Sequence, residues 1–439
     1  MLPVASFTDP ARNAPFAIAA LAASFFCFAY STRYGAPLIL LFYAVWLPLP
    51  VLSPARTLRG ALPLVWIAAF PTVAMLSVLW SAAPGTSGRA AIQYATCVAA
   101  ALIAARVVPT RTLATGGAVA VSIVTLWSVL FGRSSYDPID ATYTFVGLFG
   151  SKNQLGFFAS VGVVMAFARL LLPPRPVATA LAMLVAASFN GAVVVASGSA
   201  TSILTLIAAL AAMLALRALM ALPPPRRFAV VLVAALLGAG GLVGALWLGA
   251  FDAVLGLFGK DATLTGRTYL WSEGIRFGDE APWLGTGYQA WWVRGFAEAE
   301  RLWAEFYIGS RSGFHFHNTF IQLYVDLGGV GLAVYAATFL SAAGLALRRV
   351  CAAADGAPLL DATVLLLLFM RSFAEVDTVQ PYTLGTFLFV LVAARVTVPA
   401  PDGRAVRMRE GARGGARGGA RGSTRSIPYP TIGVRRARI

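Results

Sequence analysis

The sequence predicts an all-α integral membrane protein with about 12 transmembrane helices. Of its 439 residues, 59% are hydrophobic and only 12% are charged, whereas a soluble domain carries roughly 25% charged residues. Apolar runs of about 20 residues, the length of helix that crosses a bilayer, recur along the chain. Short basic segments separate these runs, as in loops at a membrane surface.

Twelve apolar runs are predicted to be transmembrane helices. They cover 14–31, 35–53, 61–80, 90–105, 113–131, 154–172, 177–196, 199–219, 228–250, 317–346, 357–373 and 382–398. The chain thus divides into helices 1–9 (residues 1–250), a loop (251–316), helices 10–12 (317–400) and a tail (401–439). A loop of roughly 65 residues is far longer than an ordinary connection, so we expect it to contain short helices and to be functional.

The placement of charge predicts the orientation. With the N-terminus in the cytoplasm, every cytoplasmic loop is basic and the opposite loops hold nearly all the acids, as the positive-inside rule requires. The basic loops contain Arg56 and Arg59, Arg106 and Arg111, Arg169 and Arg175, Arg217, Arg226 and Arg227, and Arg348 and Arg349. We therefore expect a bacterial inner-membrane protein with both termini in the cytoplasm and a periplasmic long loop.

The net charge of +16 reflects this topology and the tail, so no nucleic-acid partner is expected. The tail repeats Gly-Ala-Arg-Gly through 411–422 and is predicted to be disordered. It either contacts anionic lipid headgroups or serves only as a solubilising, orientation-setting segment. The three cysteines lack C-x-x-C spacing, so neither a disulfide framework nor a zinc site is implied.

Both histidines of the chain, His315 and His317, lie at the end of the long loop. Histidine is the usual general base near neutral pH. His317 and Asn318 open the tenth predicted helix, and a helix N-terminus favours anions. A base therefore coincides with an anion-binding helix end, although two polar residues at headgroup level would show the same pattern.

A second candidate group surrounds Arg267. Thr265 or Gly266 can cap a short helix running to about Phe277, with Arg267 in its first turn. A cation at this end opposes the helix dipole. A bound phosphate would account for it, as would a salt bridge to Asp261 or Glu273.

Other polar and aromatic residues of the predicted outer side are candidate substrate-binding groups. An ion pair with Glu375, four residues further on, is the default for Arg371 because an unpaired arginine near the membrane is costly. Aromatic side chains either stack on sugar rings or form the interfacial belt of a membrane protein. The further candidates are Arg89, Lys152, Asn153, Ser199, Trp271 and Tyr288.

Several short motifs occur together along most of the chain. They are Trp80-Ser81-x-x-Pro84, Gly150-Ser151-Lys152-Asn153-x-x-Gly156, Ser197-x-Ser199-Ala200-Thr201, Thr265-Gly266-Arg267 with Trp271, Pro282-x-Leu284-Gly285-x-Gly287-Tyr288, His317-Asn318 with Gly328 and Gly331, and Arg371-Ser372 with Glu375. Their order resembles the bacterial O-antigen ligase and polymerase superfamily. The Lys-Asn, Ser-Ala-Thr and Leu-Thr-Gly-Arg variants most resemble its exopolysaccharide-production polymerases, whereas ligases often have arginine in place of Ala200.

The resemblance implies a metal-independent glycosyltransferase of the integral-membrane C type (GT-C), without a cofactor. Its donor would be an undecaprenyl-diphosphate-linked oligosaccharide in the bilayer. Its acceptor would be a sugar hydroxyl on another lipid-linked glycan in a polymerase, or on the lipid A-core in a ligase. The first predicted outer loop, residues 31–35, has no acid, which disfavours a metal- or carboxylate-centred version.

This chemistry suggests roles for the candidate residues. Arg267 is expected to bind the diphosphate, with Arg371, Arg89 and Lys152 as lesser candidates. His317 is expected to be the base, His315 its reserve, and Asn318 an orienting group. A transporter or flippase is the alternative from another class, but transport sites usually carry charge near the bilayer midplane, where this sequence is nearly free of it.

Overall fold

The computed structural model describes residues 3–58, 61–137, 142–247 and 266–398. It confirms an all-α membrane protein, since eight of the described helices are long and apolar enough to cross a bilayer. These are Ala14–Tyr34, Leu62–Leu79, Pro84–Val107, Thr110–Phe131, Lys152–Leu171, Val177–Ser197, Ala200–Leu219 and Thr319–Ala352. The first part of the long loop, with Asp261 and Thr265, and the tail lie outside the described residues.

Most of the helices before residue 131 follow one another with short connections. In chain order they are α1 (Ala5–Thr8), α2 (Ala14–Tyr34), α3 (Ala36–Trp46), α4 (Leu49–Leu52), α5 (Pro54–Thr57), α6 (Ala69–Leu76), α7 (Pro84–Val107), α8 (Thr110–Phe131), α9 (Lys152–Leu171), α10 (Val177–Ser197), α11 (Ala200–Leu219), α12 (Pro224–Trp247), α13 (Arg267–Glu280), α14 (Ala297–Glu305), α15 (Thr319–Ala352), α16 (Ala357–Ser372) and α17 (Leu384–Thr397). Two 3₁₀ segments, Leu62–Ala68 and Ser77–Leu79, flank α6.

Each of the twelve predicted spans overlaps helical structure, but three spans are irregular, and one of them, 317–346, contains the break at Gly328 described below. The span 35–53 is divided into α3 and α4, because α3 ends just before Pro48, which has no N–H to continue the helix. The span 61–80 is 3₁₀ at both ends. The number of membrane crossings and their direction stay predictions.

A two-stranded antiparallel hairpin, absent from the all-α prediction, connects α8 to α9. Its strands are β1 (Arg133–Asp137) and β2 (Thr142–Gly147), and β2 is rich in the β-branched and aromatic residues that favour strands. The hairpin packs closely on the end of α8, where a Cβ on Gly132 would lie 2.4 Å from Gly147 Cα of β2. It also contacts α9 and α10, and so lies beside the start of α9.

Small and polar residues hold the central helices together. A Cβ on Gly162 of α9 would lie 2.8 Å from both Asn190 of α10 and Val121 of α8, so glycine permits their close approach. The buried Asn190 amide accepts a hydrogen bond from Thr125 Oγ1 at 2.9 Å and donates to Ser122 Oγ at 2.9 Å. These bonds satisfy polar groups that lipid cannot.

A break in α15 anchors the long loop to the helices. Gly328 has a φ of 62° inside this helix, and the loop segment 282–287 lies along the break. Gly329 N donates to Pro282 O at 2.7 Å, and Thr286 N donates to Val325 O at 3.0 Å. Loop and helix thereby satisfy backbone groups that the break leaves without helical partners.

We expect Gly328→Ala to destabilise the protein markedly. A Cβ there would lie 2.3 Å from the Trp283 carbonyl carbon, and the φ of +62° is strained for alanine. Strain of this kind costs about 1–3 kcal/mol before the clash is counted. The thermal unfolding midpoint of the purified protein in detergent should fall clearly below that of the wild type.

Gly344→Ala is the matched control in the same helix. Its Cβ would meet nothing within 4 Å, and alanine favours helix over glycine. Equal unfolding midpoints for the two variants would contradict the role assigned to the break.

Candidate active site

A buried carboxylate, Glu375, collects polar side chains from distant parts of the chain. It lies three residues after the end of α16 and is 4% exposed. Arg267 Nη2 and Asn153 Nδ2 donate to its Oε1 at 2.8 and 2.7 Å. His317 Nδ1 lies 3.3 Å from Oε2, and His315 Nε2 lies 3.9 Å from it. These five residues are called the Glu375 cluster below.

Helix ends position the members of the cluster. Arg267 begins α13, directly after Gly266, which adopts the left-handed conformation without a side-chain cap. Asn318 is the N-cap of α15, where its Oδ1 accepts from Phe320 N and Ile321 N at 3.0 and 3.2 Å. Thr319 Oγ1 donates to Glu375 O at 2.8 Å, so the start of α15 is bonded directly to the cluster.

The cluster keeps Glu375 ionised. Burial raises the pKa of this carboxyl group, but its interactions with His317 and Arg267 outweigh burial and hold the pKa well below its usual range. A negative charge in such surroundings needs these partners, since an unpaired buried carboxylate is costly.

The two histidines differ in their surroundings. Burial is the main cause that lowers the pKa of His315 to about 3. His315 Nδ1 also accepts a hydrogen bond from His317 N at 3.0 Å, while His317 itself has a φ of 51°. His315 is therefore neutral and helps to hold the strained turn, which favours His317 as the base.

A second layer of polar groups supports Asn153. Ser199, the N-cap of α11, donates its Oγ–H to Asn153 Oδ1 at 2.8 Å and lies 3.0 Å from Ser202 Oγ. Arg371 Nη1 donates to Ser202 Oγ at 3.3 Å. Asn153, Ser199 and Arg371, all candidates from the sequence, thus belong to one continuous network.

The expected pairing of Arg371 with Glu375 is wrong. Arg371 Nε donates to Asp377 Oδ2 at 2.6 Å, and its guanidinium lies 4.2 Å from the centre of the Phe157 ring. The helix ends at Ser372, so positions 371 and 375 do not share a helical face. Arg371 is only 1% exposed, so it supports the site through buried contacts.

Of the two alternative pairings of Arg267, the described residues test only the one with Glu273. Glu273 bonds to Arg276 and Arg301 instead, and Asp261 lies outside the described residues. Arg301 further pairs with Glu298 and Glu305. This network fixes α13 against α14 and leaves Arg267 to Glu375.

The other substrate-binding residues predicted from the sequence lie at different distances from the Glu375 cluster. Lys152 precedes Asn153 at the start of α9, and Trp271 Nε1 donates to Phe316 O at 2.9 Å beside the histidines. Arg89 is exposed on α7 and has no hydrogen bond or ion pair with the cluster among the described contacts.

Tyr288 does not offer a stacking face. Its ring is fully buried, its hydroxyl donates to Val379 O at 2.7 Å, and it packs against Phe70 and Tyr94. Since a sugar needs an accessible ring face, the structure corrects the expected substrate-binding role of Tyr288 to a packing role.

Sequence reasoning missed Glu375 as the centre of the site, and Asp377 and Ser202 as supporting residues. Their signal was present but weak. Glu375 and Asp377 are the acids that follow the eleventh predicted span, yet their partners are far away in the chain. Asn153 is 222 residues from Glu375, and Arg267 is 108 residues from it.

The same residues have the composition of a metal site. One ligand atom each from His315, His317 and Glu375 lie within 4.8 Å of one another, and imidazole and carboxylate are common ligands of divalent metals. Arg267, however, already shares this carboxylate, so its charge is balanced without a metal ion.

Comparison with known proteins shows the family. The sequence model of the O-antigen ligase family matches residues 185–336, which include Arg267 and both histidines. The exopolysaccharide production protein ExoQ of Rhizobium meliloti (strain 1021) is 44% identical over 396 residues, which are 90% of this chain and 91% of that protein. The chain belongs to the O-antigen ligase and exopolysaccharide polymerase family. This member is therefore a membrane polymerase or ligase of polysaccharide biosynthesis. Its Glu375 cluster lies at the ends of helices.

We expect Glu375 to make the stability of the folded protein depend on pH in the acid range. A carboxyl whose pKa is lower in the folded protein stabilises it above the ordinary pKa, here 4.5, and this contribution is lost as pH falls towards the lower folded value. The thermal unfolding midpoint of Glu375→Gln should lie below that of the wild type. This difference should have its largest value above about pH 5.5 and should shrink steadily below about pH 4.5.

The control is Glu298→Gln, which removes a half-exposed carboxylate from the Arg301 network. Exposed pairs contribute little, so its midpoint should follow that of the wild type at every pH. A Glu375→Gln difference that stays constant from neutral to acid pH would show that the carboxylate is not held ionised by the cluster.

Proposed function

We propose that the protein polymerises polysaccharide repeat units by transferring an undecaprenyl-diphosphate-linked oligosaccharide to a sugar hydroxyl of another lipid-linked glycan. The observation that carries this proposal is the sharing of one buried carboxylate by Arg267 and His317. A cation for the leaving group and a base for the acceptor thereby stand side by side. The proposed setting is a GT-C-type protein of the inner membrane, with cytoplasmic termini and the site on the periplasmic side.

Arg267 serves the donor. Its side chain is 16% exposed, and one of its nitrogen atoms bonds to Glu375. A guanidinium has five N–H groups, so donors remain for phosphate oxygens. When the bond between the anomeric carbon and the phosphate oxygen breaks, its electron pair leaves with the polyprenyl diphosphate, and Arg267 stabilises that charge. Lys152 and Arg89 are the lesser candidates for contacts to the diphosphate.

His317 serves the acceptor. Its Nδ1 faces Glu375, so the tautomer that donates from Nδ1 leaves a lone pair on Nε2. The acceptor oxygen forms its bond to the anomeric carbon while its proton passes to Nε2. Glu375 then stabilises the imidazolium, as an orienting carboxylate does in other His-dependent enzymes.

The second candidate is an O-antigen ligase that transfers the glycan to the lipid A-core. The match of residues 185–336 to the O-antigen ligase family favours it. The relative named for exopolysaccharide production, which covers nine-tenths of the chain, favours the polymerase. The two functions share the donor chemistry and differ in the acceptor.

We expect His317→Ala to lower transfer by about 10²–10⁴-fold, the usual contribution of general base catalysis. Arg267→Ala should lower it at least about 100-fold, because a charge-stabilising donor to the leaving group is lost. The assay uses purified protein and a defined undecaprenyl-diphosphate oligosaccharide, alone and then with lipid A-core, and separates the products by size.

Arg294→Ala is the control, because it removes an exposed arginine of the same loop whose guanidinium, among the described contacts, donates to Ser310 O alone. A ladder of longer lipid-linked glycans without lipid A-core supports the polymerase, and a single transfer that needs lipid A-core supports the ligase. Full activity of His317→Ala would refute the assignment of the base.

We expect transfer to continue in the presence of EDTA. The charge of Glu375 is balanced by Arg267 at 2.8 Å, and a divalent cation bound beside this guanidinium would be repelled by it. Activity lost on chelation, and restored by Mn²⁺, Mg²⁺ or Zn²⁺, would instead identify His315, His317 and Glu375 as metal ligands.

A further inference from the structure

A second basic cavity lies apart from the Glu375 cluster. It has a volume of about 200 Å³ and is lined by Arg33, Phe131, Arg133 and residues 147–149. Arg33 lies in the last turn of α2, and Arg133 begins β1. We refer to it as the hairpin cavity.

The wall of the hairpin cavity is held in place by close backbone packing. A Cβ on Gly147 would lie 2.2 Å from Ser128 Oγ, and this oxygen accepts a hydrogen bond from Leu148 N at 2.9 Å. Gly147 also has a φ of 61°. Glycine is therefore needed here, and the cavity has a fixed shape on its hairpin side.

The described lining of the hairpin cavity carries positive charge. Within the described part of the chain, neither Arg33 nor Arg133 forms a salt bridge or a side-chain hydrogen bond, and the lining contains no acid. Asp137 lies at the far end of β1, roughly 13 Å along the strand from Arg133 at 3.3 Å per residue. Two exposed arginines that line one cavity favour an anionic ligand.

Arginines at the opposite helix ends behave differently. Arg227 donates to the carbonyl oxygens of Val350 and Ala353, and Arg169 donates to those of Leu172 and Pro174. These guanidinium groups serve the structure by satisfying carbonyls that the helices leave free. Arg169 and Arg227 are buried, whereas Arg33 and Arg133 are exposed, so the guanidinium groups that line the hairpin cavity are accessible to a ligand.

An apolar surface leads into the hairpin cavity. Phe131, which lines it, is 58% exposed, and Leu130 beside it is 63% exposed. Trp127, one turn earlier in α8, donates its Nε1–H to the Tyr34 hydroxyl at 3.2 Å. Exposed apolar residues followed by such an aromatic pair are typical of the membrane interface. A ligand with a lipid tail and an anionic head matches both surfaces.

The hairpin cavity and the Glu375 cluster lie at the same end of the helix bundle. Residues 147–149 lead within a few residues to Ser151, the N-cap of α9, and then to Asn153 of the cluster. Thr144 of the hairpin lies beside Gly198, one residue before Ser199 of the supporting network. The start of α9 thus separates two basic sites.

We propose that the hairpin cavity binds the diphosphate of the second lipid-linked saccharide, whose sugar provides the acceptor hydroxyl. This inference rests on the proposed polymerase function, in which two polyprenyl diphosphates must be bound at once. Arg267 holds one of them, and Arg33 and Arg133 hold the other. A diphosphate fits a cavity of this volume, whereas an oligosaccharide does not, so the sugars extend away from it towards His317.

The first test measures binding and needs no activity. Undecaprenyl diphosphate without a sugar is titrated into the full-length protein in phosphatidylcholine nanodiscs. We expect two bound molecules for the wild type, and one for Arg33→Gln/Arg133→Gln, whose cavity affinity falls at least about tenfold. A variant that still binds two with unchanged affinity would overturn the proposal. Arg294→Gln/Arg311→Gln, which removes two exposed arginine charges from the long loop, should bind like the wild type.

A second arm distinguishes the substrate from a membrane phospholipid. Nanodiscs that contain phosphatidylglycerol offer a phosphate headgroup on another lipid. If phosphatidylglycerol displaces undecaprenyl diphosphate from the cavity at comparable concentration, the site is a phospholipid site and the proposal fails. Retention of the bound diphosphate supports it.

The last test separates acceptor binding from the transfer itself. The acceptor is a lipid-linked repeat unit with a methylene group in place of its anomeric oxygen, so that it can accept but not donate. For Arg33→Gln/Arg133→Gln we expect its KM to rise at least about tenfold with kcat retained. An acceptor glycan without lipid and diphosphate should react equally with wild type and variant. Equal KM values for the lipid-linked acceptor would overturn the proposal, whereas a wild type without any product would refute the proposed function.

Discussion

The site depends on one buried carboxylate and on the cost of leaving it without partners. Glu375 is almost fully enclosed, yet its two oxygen atoms bond to Arg267, Asn153 and His317. A buried charge of this kind is tolerated only when it is paired and hydrogen-bonded. Because the partners belong to three other segments of the chain, satisfying the carboxylate also brings α9, α13 and α15 to the end of α16. The folding requirement and the arrangement of the reactive groups are therefore the same interaction.

The break at Gly328 has a comparable role for the long loop. A loop that carries Arg267 and both histidines is useful only when it is fixed relative to the helices. Backbone bonds from residues 282–287 to the broken turn of α15 provide one attachment. Gln322 provides another, since its Oε1 accepts from Trp292 Nε1 and Phe316 N, each at 3.3 Å, while its Nε2 donates to Asp326 at 3.1 Å. Polar groups inside α15 thus fix the turn that precedes His317.

The sequence was informative wherever the bilayer restricts the choice of residues. Lipid demands long apolar helices, so the helix positions followed from composition, and the few polar residues between them were candidates for function. Arg267, His317 and Asn153 were found in this way. Glu375 was assigned to Arg371 because a rule for neighbours on one helix was applied past the end of the helix at Ser372. No local pattern indicates a partner 222 residues away, and none indicates that the Tyr288 ring is buried.

Four helix N-termini converge on the site, and this explains how it can handle anions at the membrane surface. Asn153 lies at the start of α9, Ser199 caps α11, Arg267 begins α13 and Asn318 caps α15. Each N-terminus carries a partial positive charge, which adds to the guanidinium and favours phosphate oxygens. Glu375 bonds to the starts of α9, α13 and α15, and α11 joins them through the Ser199–Asn153 hydrogen bond. The single negative charge of Glu375 limits the mutual repulsion of these helix ends. The helix dipoles and the guanidinium are already directed at an anion that binds there. Because they are fixed in place, these groups need to reorient little when charge develops on the leaving group.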